Sequence, residues 1–217
     1  MDFIAVLAQL SRGVGYTVLV TLVCSATGLA VGLLVVGLRR LDLRPVTALL
    51  NGFTYVFRGV PVIVMLFLVY FGGGGSGLPV PPLLAMVLSL GLIAGAYLAE
   101  VFRGALDAVS ADEILAAEAM GMTRLQIFVL IELPQMLRFA VPGMVNEFTS
   151  VLKYSPFAYT VGIPEVTKEA MTLAATTMRG IEIYLAVGVL YFAIYRILLI
   201  GVHLLERRFR VPGMAAE

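Results

Sequence analysis

The chain is predicted to be all-α and polytopic, crossing a membrane five times as one transmembrane domain over residues 1–217. Three observations carry that reading. Of the 217 residues 60% are hydrophobic and only 13% are charged, with a mean hydropathy of +1.00, whereas a soluble domain carries about 25% charged residues. The apolar residues gather in runs long enough to cross about 30 Å of hydrocarbon at about 1.5 Å per helical residue. Lys and Arg fall unevenly on the segments between those runs, as in other polytopic proteins. The net charge of +1 argues against a nucleic-acid binder, which needs a basic patch.

Taken in order, Met1-Asp2-Phe3 lacks the basic residues of a cleavable signal peptide, so the first apolar run is expected to be retained. Residues 1–12 are weakly amphipathic. The first span covers 13–38 without a charge; its Cys24 reads as a small buried hydrophobe, and a single cysteine builds neither a disulfide nor a cysteine metal site. Arg39, Arg40, Asp42, Arg44 and Pro45 follow. The second span is placed at 52–71, and Arg58 in its first turns is expected to snorkel toward the headgroups. Gly72 to Pro82 reads as an irregular turn. The third span is placed at 83–103.

Two short helices, about 111–133, come next. Ser110-Ala-Asp-Glu113 and Thr123-Arg-Leu-Gln126 both fit the capping-box pattern. Between them Gly121 is a natural terminator, because glycine accepts positive φ. Pro134 is expected to kink or end the second helix. The fourth span, 137–159, holds Pro142, Glu147, Lys153 and Pro156, so it is read as broken and not as a plain lipid-facing helix. A polar loop leads to Glu182, and the fifth span, 183–205, carries Arg196 in its middle.

Orientation follows from the basic residues. With the Arg39–Arg44 segment inside, that side collects nine: Arg39, Arg40, Arg44, Arg103, Arg124, Arg138, Arg207, Arg208 and Arg210. The other side collects three, Arg12, Lys168 and Arg179. This places the N-terminus outside, and the C-terminus and the two capped helices in the cytoplasm.

Charges at membrane depth need partners or water. Glu100 and Arg103, one helical turn apart, can pair with each other; Glu100 also stands as a candidate on a substrate path. Asn146, Glu147 and Ser150 can line one polar patch of the fourth span. Glu147 and Lys153 are six residues apart and point to different faces. They could supply an acceptor for an ammonium and a donor for a carboxylate, with Asn146 and Ser155 adding hydrogen bonds. The alternative is polar glue to neighbouring helices or a partner subunit. Arg196, roughly 16 Å deeper than Arg207 along a helix, faces protein or water, as a counter-charge for an acidic substrate or as a structural pair.

Gly121, Ile131 and Leu133-Pro134 have the spacing of the cytoplasmic "EAA" signature and resemble the permease subunits of ABC importers. Ala99-Glu100, Arg103-Gly104, Leu133-Pro134-Gln135, Asn146-Glu147-Phe148, Leu152-Lys153 and Val161-Gly162-Ile163-Pro164-Glu165 are similar to the polar amino acid branch. So are Phe57-Arg58-Gly59 with Pro61 and Leu205-Glu206-Arg207-Arg208. The resemblance implies a type I importer permease fold in the bacterial plasma (inner) membrane. It also implies that Leu115, Ala116, Ala117, Glu118, Gly121 and Leu125 form the coupling surface for an ATPase. The family's usual glutamate, six residues before the glycine, is Leu115 here, while the glycine bend is kept. The implied partners are an ABC ATPase dimer, a second permease subunit (identical or homologous), an external substrate-binding protein and membrane lipid. The implied substrates are polar or charged amino acids, or related compounds such as opines or compatible solutes. No cofactor is expected on this chain; ATP and magnesium would bind the ATPase.

Two rival readings are weaker. Gly74-Gly75-Ser76-Gly77 resembles the G-x-S-G of rhomboid proteases, but a serine nucleophile needs a nearby base. The single histidine, His203, falls at the opposite membrane face. A passive channel would need no capped two-helix bend, and no repeated pore signature is present. No G-x-x-x-x-G-K-[ST] occurs, so ATP hydrolysis is not expected of this chain.

Overall fold

A computed structural model describes the backbone of residues 2–75 and 77–209, and the side chains as far as Gly201. Met1, Ser76 and Arg210 lie outside the described residues, as do the side chains of His203, Leu205, Glu206, Arg207 and Arg208. Among the described residues every element is helical. Helix α1 (Phe3–Leu10) runs through a 3-10 turn into α2 (Val14–Arg39), together one apolar path of 37 residues.

The second span departs from expectation. Instead of one helix over 52–71 there are two, α3 (Arg44–Gly59) and α4 (Val62–Gly75), bent by 105° at their junction. Pro61 is the cause. It has no N–H to continue the ladder, and its ring drives the preceding residue out of the helical region. Val60 accordingly sits at φ −98°, ψ 130°.

The third crossing is α5 (Pro82–Met86), a π turn and α6 (Leu92–Asp107). Helix α2 packs along α6, and their register shows direction. Gly28 faces Ala94, Gly32 faces Leu98, and Arg39 reaches Glu100. Both numbers rise together, so α2 and α6 run parallel. Parallel neighbours require the intervening chain to return across the bundle, so the bent α3–α4 pair is a crossing. The close approach depends on the glycines: a Cβ on Gly28 would lie 2.8 Å from Cβ of Ala94, and one on Gly32 2.9 Å from Cβ of Leu98. Small residues at such contacts let helices pack where no hydrophobic effect drives them together.

Helices α7 (Ala111–Ala119) and α8 (Arg124–Ile127) follow. From Arg124 the chain stays helical to Val161, through a π turn (Phe128–Glu132), α9 (Leu133–Tyr154) and a 3-10 segment (Ser155–Val161). Pro134 therefore does not end the helix. The Leu133 N–H reaches back five residues to the Phe128 carbonyl, and Pro134 falls in the first turn of α9, where a missing donor is tolerated. Nor does Pro142, inside α9, break the fourth crossing; the change to 3-10 comes at Ser155-Pro156. Then α10 (Val166–Thr177) leads to α11 (Gly180–Phe209).

Helix α6 is central, packing on α2, α3 and α9. Its Leu98 and Phe102 share a core with Val36, Met136 and Ala140. Cys24 is fully buried in a second cluster with Leu66, Met86 and Val151. Helix α2 separates two ends of the bundle by roughly 40 Å. One end holds Arg39, Arg40 and the α7–α8 bend. At the other, Gly13 and Thr17 meet the start of α10.

Candidate functional site

The break between α3 and α4 opens onto a cleft of about 580 Å³. Arg58 and the Gly59–Pro61 backbone form one wall, Tyr97 of α6 another, and Asn146, Glu147 and Ser150 of α9 a third. Non-helical backbone at membrane depth is tolerated only where protein covers it or water reaches it, and this cleft meets that condition. The α9 residues share a face because 150 lies one helical turn on from both 146 and 147. Ser150 Oγ donates to the Asn146 carbonyl at 2.9 Å.

Arg58 does not snorkel as expected. Its guanidinium lies over the Tyr97 ring, 5.3 Å from the centroid, and 3.9 Å from Glu100 Oε2. Tyr97 Oη donates to the Arg58 carbonyl at 3.4 Å, which holds the end of α3 against α6. Arg58 stands in the last turn of α3, beside the Pro61 break, with its side chain 43% exposed.

Glu100 lies behind the cleft and does not line it. Arg103 Nε donates to its Oε2 at 2.9 Å, and Arg39 Nη1 to its Oε1 at 3.2 Å. The local Glu100–Arg103 pair thus forms, within a larger cluster joining α2, α3 and α6. Arg39 also donates to Asn51 Oδ1 at 3.1 Å.

The remaining candidates do not converge on the cleft. Lys153 is exposed and lines a separate groove of about 280 Å³ with Tyr191, Phe192 and Tyr195. Arg196, next along α11, is exposed as well. Ser155 is fully buried and donates to the Leu152 carbonyl at 2.8 Å, serving the helix end. Within one chain the cation sharing a cleft with Glu147 is Arg58, not Lys153.

At the basic end, Gly121 takes φ +79°. Its N–H donates to the Glu118 carbonyl at 2.9 Å and the Met122 N–H to the Ala117 carbonyl at 3.1 Å, the paired bonds of a Schellman stop. The second capping box is complete: Thr123 N–H donates to Gln126 Oε1 at 2.8 Å, and Gln126 N–H to Thr123 Oγ1 at 3.3 Å. The first is not. Ser110 holds the N-cap position but its side chain accepts no cap bond, and the Glu113 carboxylate, which would accept from the Ser110 N–H in a capping box, is engaged by Gln135 Nε2 across the bend. Leu115 and Leu125 are exposed, as are Ala116, Glu118 and Gly121, whereas Ala117 is buried and faces inward. The outward surface includes Met120, 84% exposed, which the motif does not single out.

The bend is tied to the first crossing. Arg40 Nη2 donates to Glu132 Oε1 at 2.6 Å, and its guanidinium lies 5.7 Å from the centre of the Phe128 ring. Glu132 is only 6% exposed. Sequence reasoning missed Arg58, Tyr97 and Glu132 as site residues. The available signals were a charge three residues before Pro61 in an apolar run, and an acid inside the Ile131–Pro134 motif.

The family model described as "binding-protein-dependent transport system inner membrane component" matches residues 28–211. The probable amino-acid permease protein YxeN of Bacillus subtilis is 37% identical over 164 residues, covering 72% of this chain and 71% of that protein. HisQ of Escherichia coli K12, named a permease protein of a histidine/lysine/arginine/ornithine transport system, is 34% identical over 179 residues, covering 77% and 78%. A crystal structure described as an amino acid ABC transporter with histidines superposes with a TM-score of 0.87 at 27% identity, covering 96% of this chain and 99% of that one. The bent second crossing, the cleft beside it and the glycine-stopped bend are thus features of a chain that belongs to the binding-protein-dependent transport inner membrane component family, the permeases of ABC importers.

Proposed function

We propose that this permease carries polar or charged amino acids, and that the cleft at the α3–α4 break is where they are held. The observation that carries the reading is the pairing of Arg58 and Glu147 around one cleft from different helices. An amino acid presents a carboxylate and an ammonium a short distance apart. Arg58 offers a planar fork of donors for the first, Glu147 an acceptor for the second, and Asn146 and Ser150 further hydrogen bonds. The relatives named for amino acids support the substrate class.

Membership of the family supports the other parts of the reading. The exposed Leu115, Met120 and Leu125 surface docks on a separate ATPase, which binds ATP and magnesium and hydrolyses it. A binding protein delivers substrate to the α10 end. The N-terminus is outside and the C-terminus cytoplasmic. A second permease subunit, identical or homologous, completes the path. Lys153 and Arg196 support that part, since exposed cations at membrane depth need protein or water against them.

Glu147→Gln tests the cleft, because it keeps size and removes charge. Binding of a panel of amino acids to the assembled transporter is expected to weaken by about 1.5–3 kcal/mol, the range for hydrogen bonds to charged groups, with assembly retained. Unchanged affinity in an intact complex would remove Glu147 from substrate contact; lost assembly with unchanged affinity would make it structural.

A further inference from the structure

Glu100 sits between the cleft and the basic end, and its two oxygens are unequally shared. Oε1 is taken by Arg39 at 3.2 Å. Oε2 is taken by Arg103 Nε at 2.9 Å and approached by Arg58 at 3.9 Å. The first two are hydrogen bonds; the third is an ion pair too long to be one. Glu100 thus attracts Arg58 without using its donors. Arg58 is 43% exposed at the side chain and lines the cleft, so its fork stays available to a carboxylate there.

We infer that Glu100 is a positioning residue that sets how strongly Arg58 is offered to the cleft, and that Arg103 competes with Arg58 for it. The inference rests on the reading of the cleft as the amino acid site. Arg103 occupies the oxygen Arg58 would otherwise take, and Asp107 Oδ2 fixes Arg103 in that place from the next turn, accepting from Nη1 at 3.0 Å. Without Arg103, the Arg58 guanidinium can close the gap to Oε2, and its charge and donors turn away from the cleft. Without the Glu100 charge, Arg58 faces the cleft with no counter-ion behind it. The two losses act on the same cation in opposite directions.

The test compares Glu100→Gln with Arg103→Gln in the permease assembled with its ATPase subunits in lipid nanodiscs. The probes are L-histidine, with one carboxylate, and L-glutamate, with two. Glu100→Gln is expected to tighten binding about two- to fivefold, and Arg103→Gln to weaken it by a similar factor, the size of a partly exposed ion pair. The Glu100→Gln gain should be larger for L-glutamate. Shifts of the same sign, or no shift, overturn the inference. Loss of affinity in both variants with lowered thermal stability would make Glu100 a structural residue alone. If Glu100→Gln does not assemble, Arg103→Gln decides, because Arg103 is half-exposed at 51%; unchanged affinity there overturns the inference. Arg58→Gln and Glu147→Gln run beside them. If neither alters binding of either probe, the cleft reading fails, and this inference falls with it for a separate, identifiable reason.

Discussion

Glu165 is a buried carboxylate that makes no salt bridge among the described residues. Its oxygens accept from the Thr167 and Lys168 N–H groups at 2.8 and 2.9 Å, and from Tyr191 Oη at 2.8 Å. It is therefore the N-cap of α10 and the tie between α10 and α11, and the Thr17 hydroxyl beside it accepts from the Val166 N–H. Glutamate is not a preferred cap, which is why the pattern Pro164-Glu165 did not announce one. Glu165→Ala is expected to cost the cap, about 1 kcal/mol, and a partner of the half-buried Tyr191 hydroxyl, about 1–3 kcal/mol, read as a lower unfolding midpoint. Burial pushes the Glu165 carboxyl up, and its hydrogen bonds pull it back in part. The sign follows from linkage: the unfolded carboxyl ionises at lower pH than the folded one, so stability is full below the unfolded value. It is lost as pH rises through the folded value. Glu165→Gln cannot ionise, so its unfolding midpoint should fall less steeply than that of the parent as pH is raised from acid to neutral. Equal slopes would show that Glu165 stays ionised across that range.

At the scale of elements, the α7–α8 bend depends on backbone conformation and not on space. Gly121 has φ +79°, yet nothing lies within 4 Å of where its Cβ would be. Gly121→Val therefore meets no clash with other residues and fails only because a β-branched residue resists positive φ, at about 1–2 kcal/mol. Transport and substrate-stimulated ATPase activity should drop sharply while the protein still inserts. Gly121→Asn, which tolerates the left-handed region, should retain most of both. Wild-type stimulation in the valine variant would place the coupling bend elsewhere. This bend was legible because glycine stops and Thr-x-x-Gln caps are local signals. The second crossing was less so: an apolar run over 52–71 satisfies the length rule whether straight or bent, and the bend came from Pro61 acting on Val60. With it went the place of Arg58, which lines the cleft beside that bend. Glu147, Asn146 and Ser150 were legible as one face because helical spacing alone brings them together. The Arg40–Glu132 and Arg39–Glu100 ties were not, since they join residues far apart in sequence. The same reason hid the engagement of Glu113 by Gln135, which takes the Glu113 carboxylate from its place in the expected first capping box.

Across the whole molecule, ion pairs link the cleft wall at Arg58 to the end of α2 and the α7–α8 bend. The Glu100 cluster bonds α6 to the end of α2, and Arg40 bonds that same end to the π turn above α8. ATP-driven movement of α7–α8 would be felt at the inner end of α2 and from there at the cleft, in the manner of a two-state element biased from a distant site. That mechanism requires the α7–α8 end to face the cytoplasm, where ATP is. The parallel α2 and α6 put Arg39, Arg40 and Arg103 at one end, while Arg12 and Lys168 belong to the other. The positive-inside rule therefore predicts that this cation-rich end is the cytoplasmic one. Single cysteines can test this directly, in a background where the buried Cys24 is replaced by alanine. Ala119 on α7 and Ala175 on α10 are both exposed and belong to opposite ends. A membrane-impermeant maleimide should label Ala175→Cys in intact cells and reach Ala119→Cys only after the membrane is opened. The reverse result would overturn the orientation and ATPase docking together. Labelling of both from outside would mean that an even number of crossings separates them. That would contradict the single crossing between α7 and α10, Arg124 to Val161, and with it the five-crossing bundle.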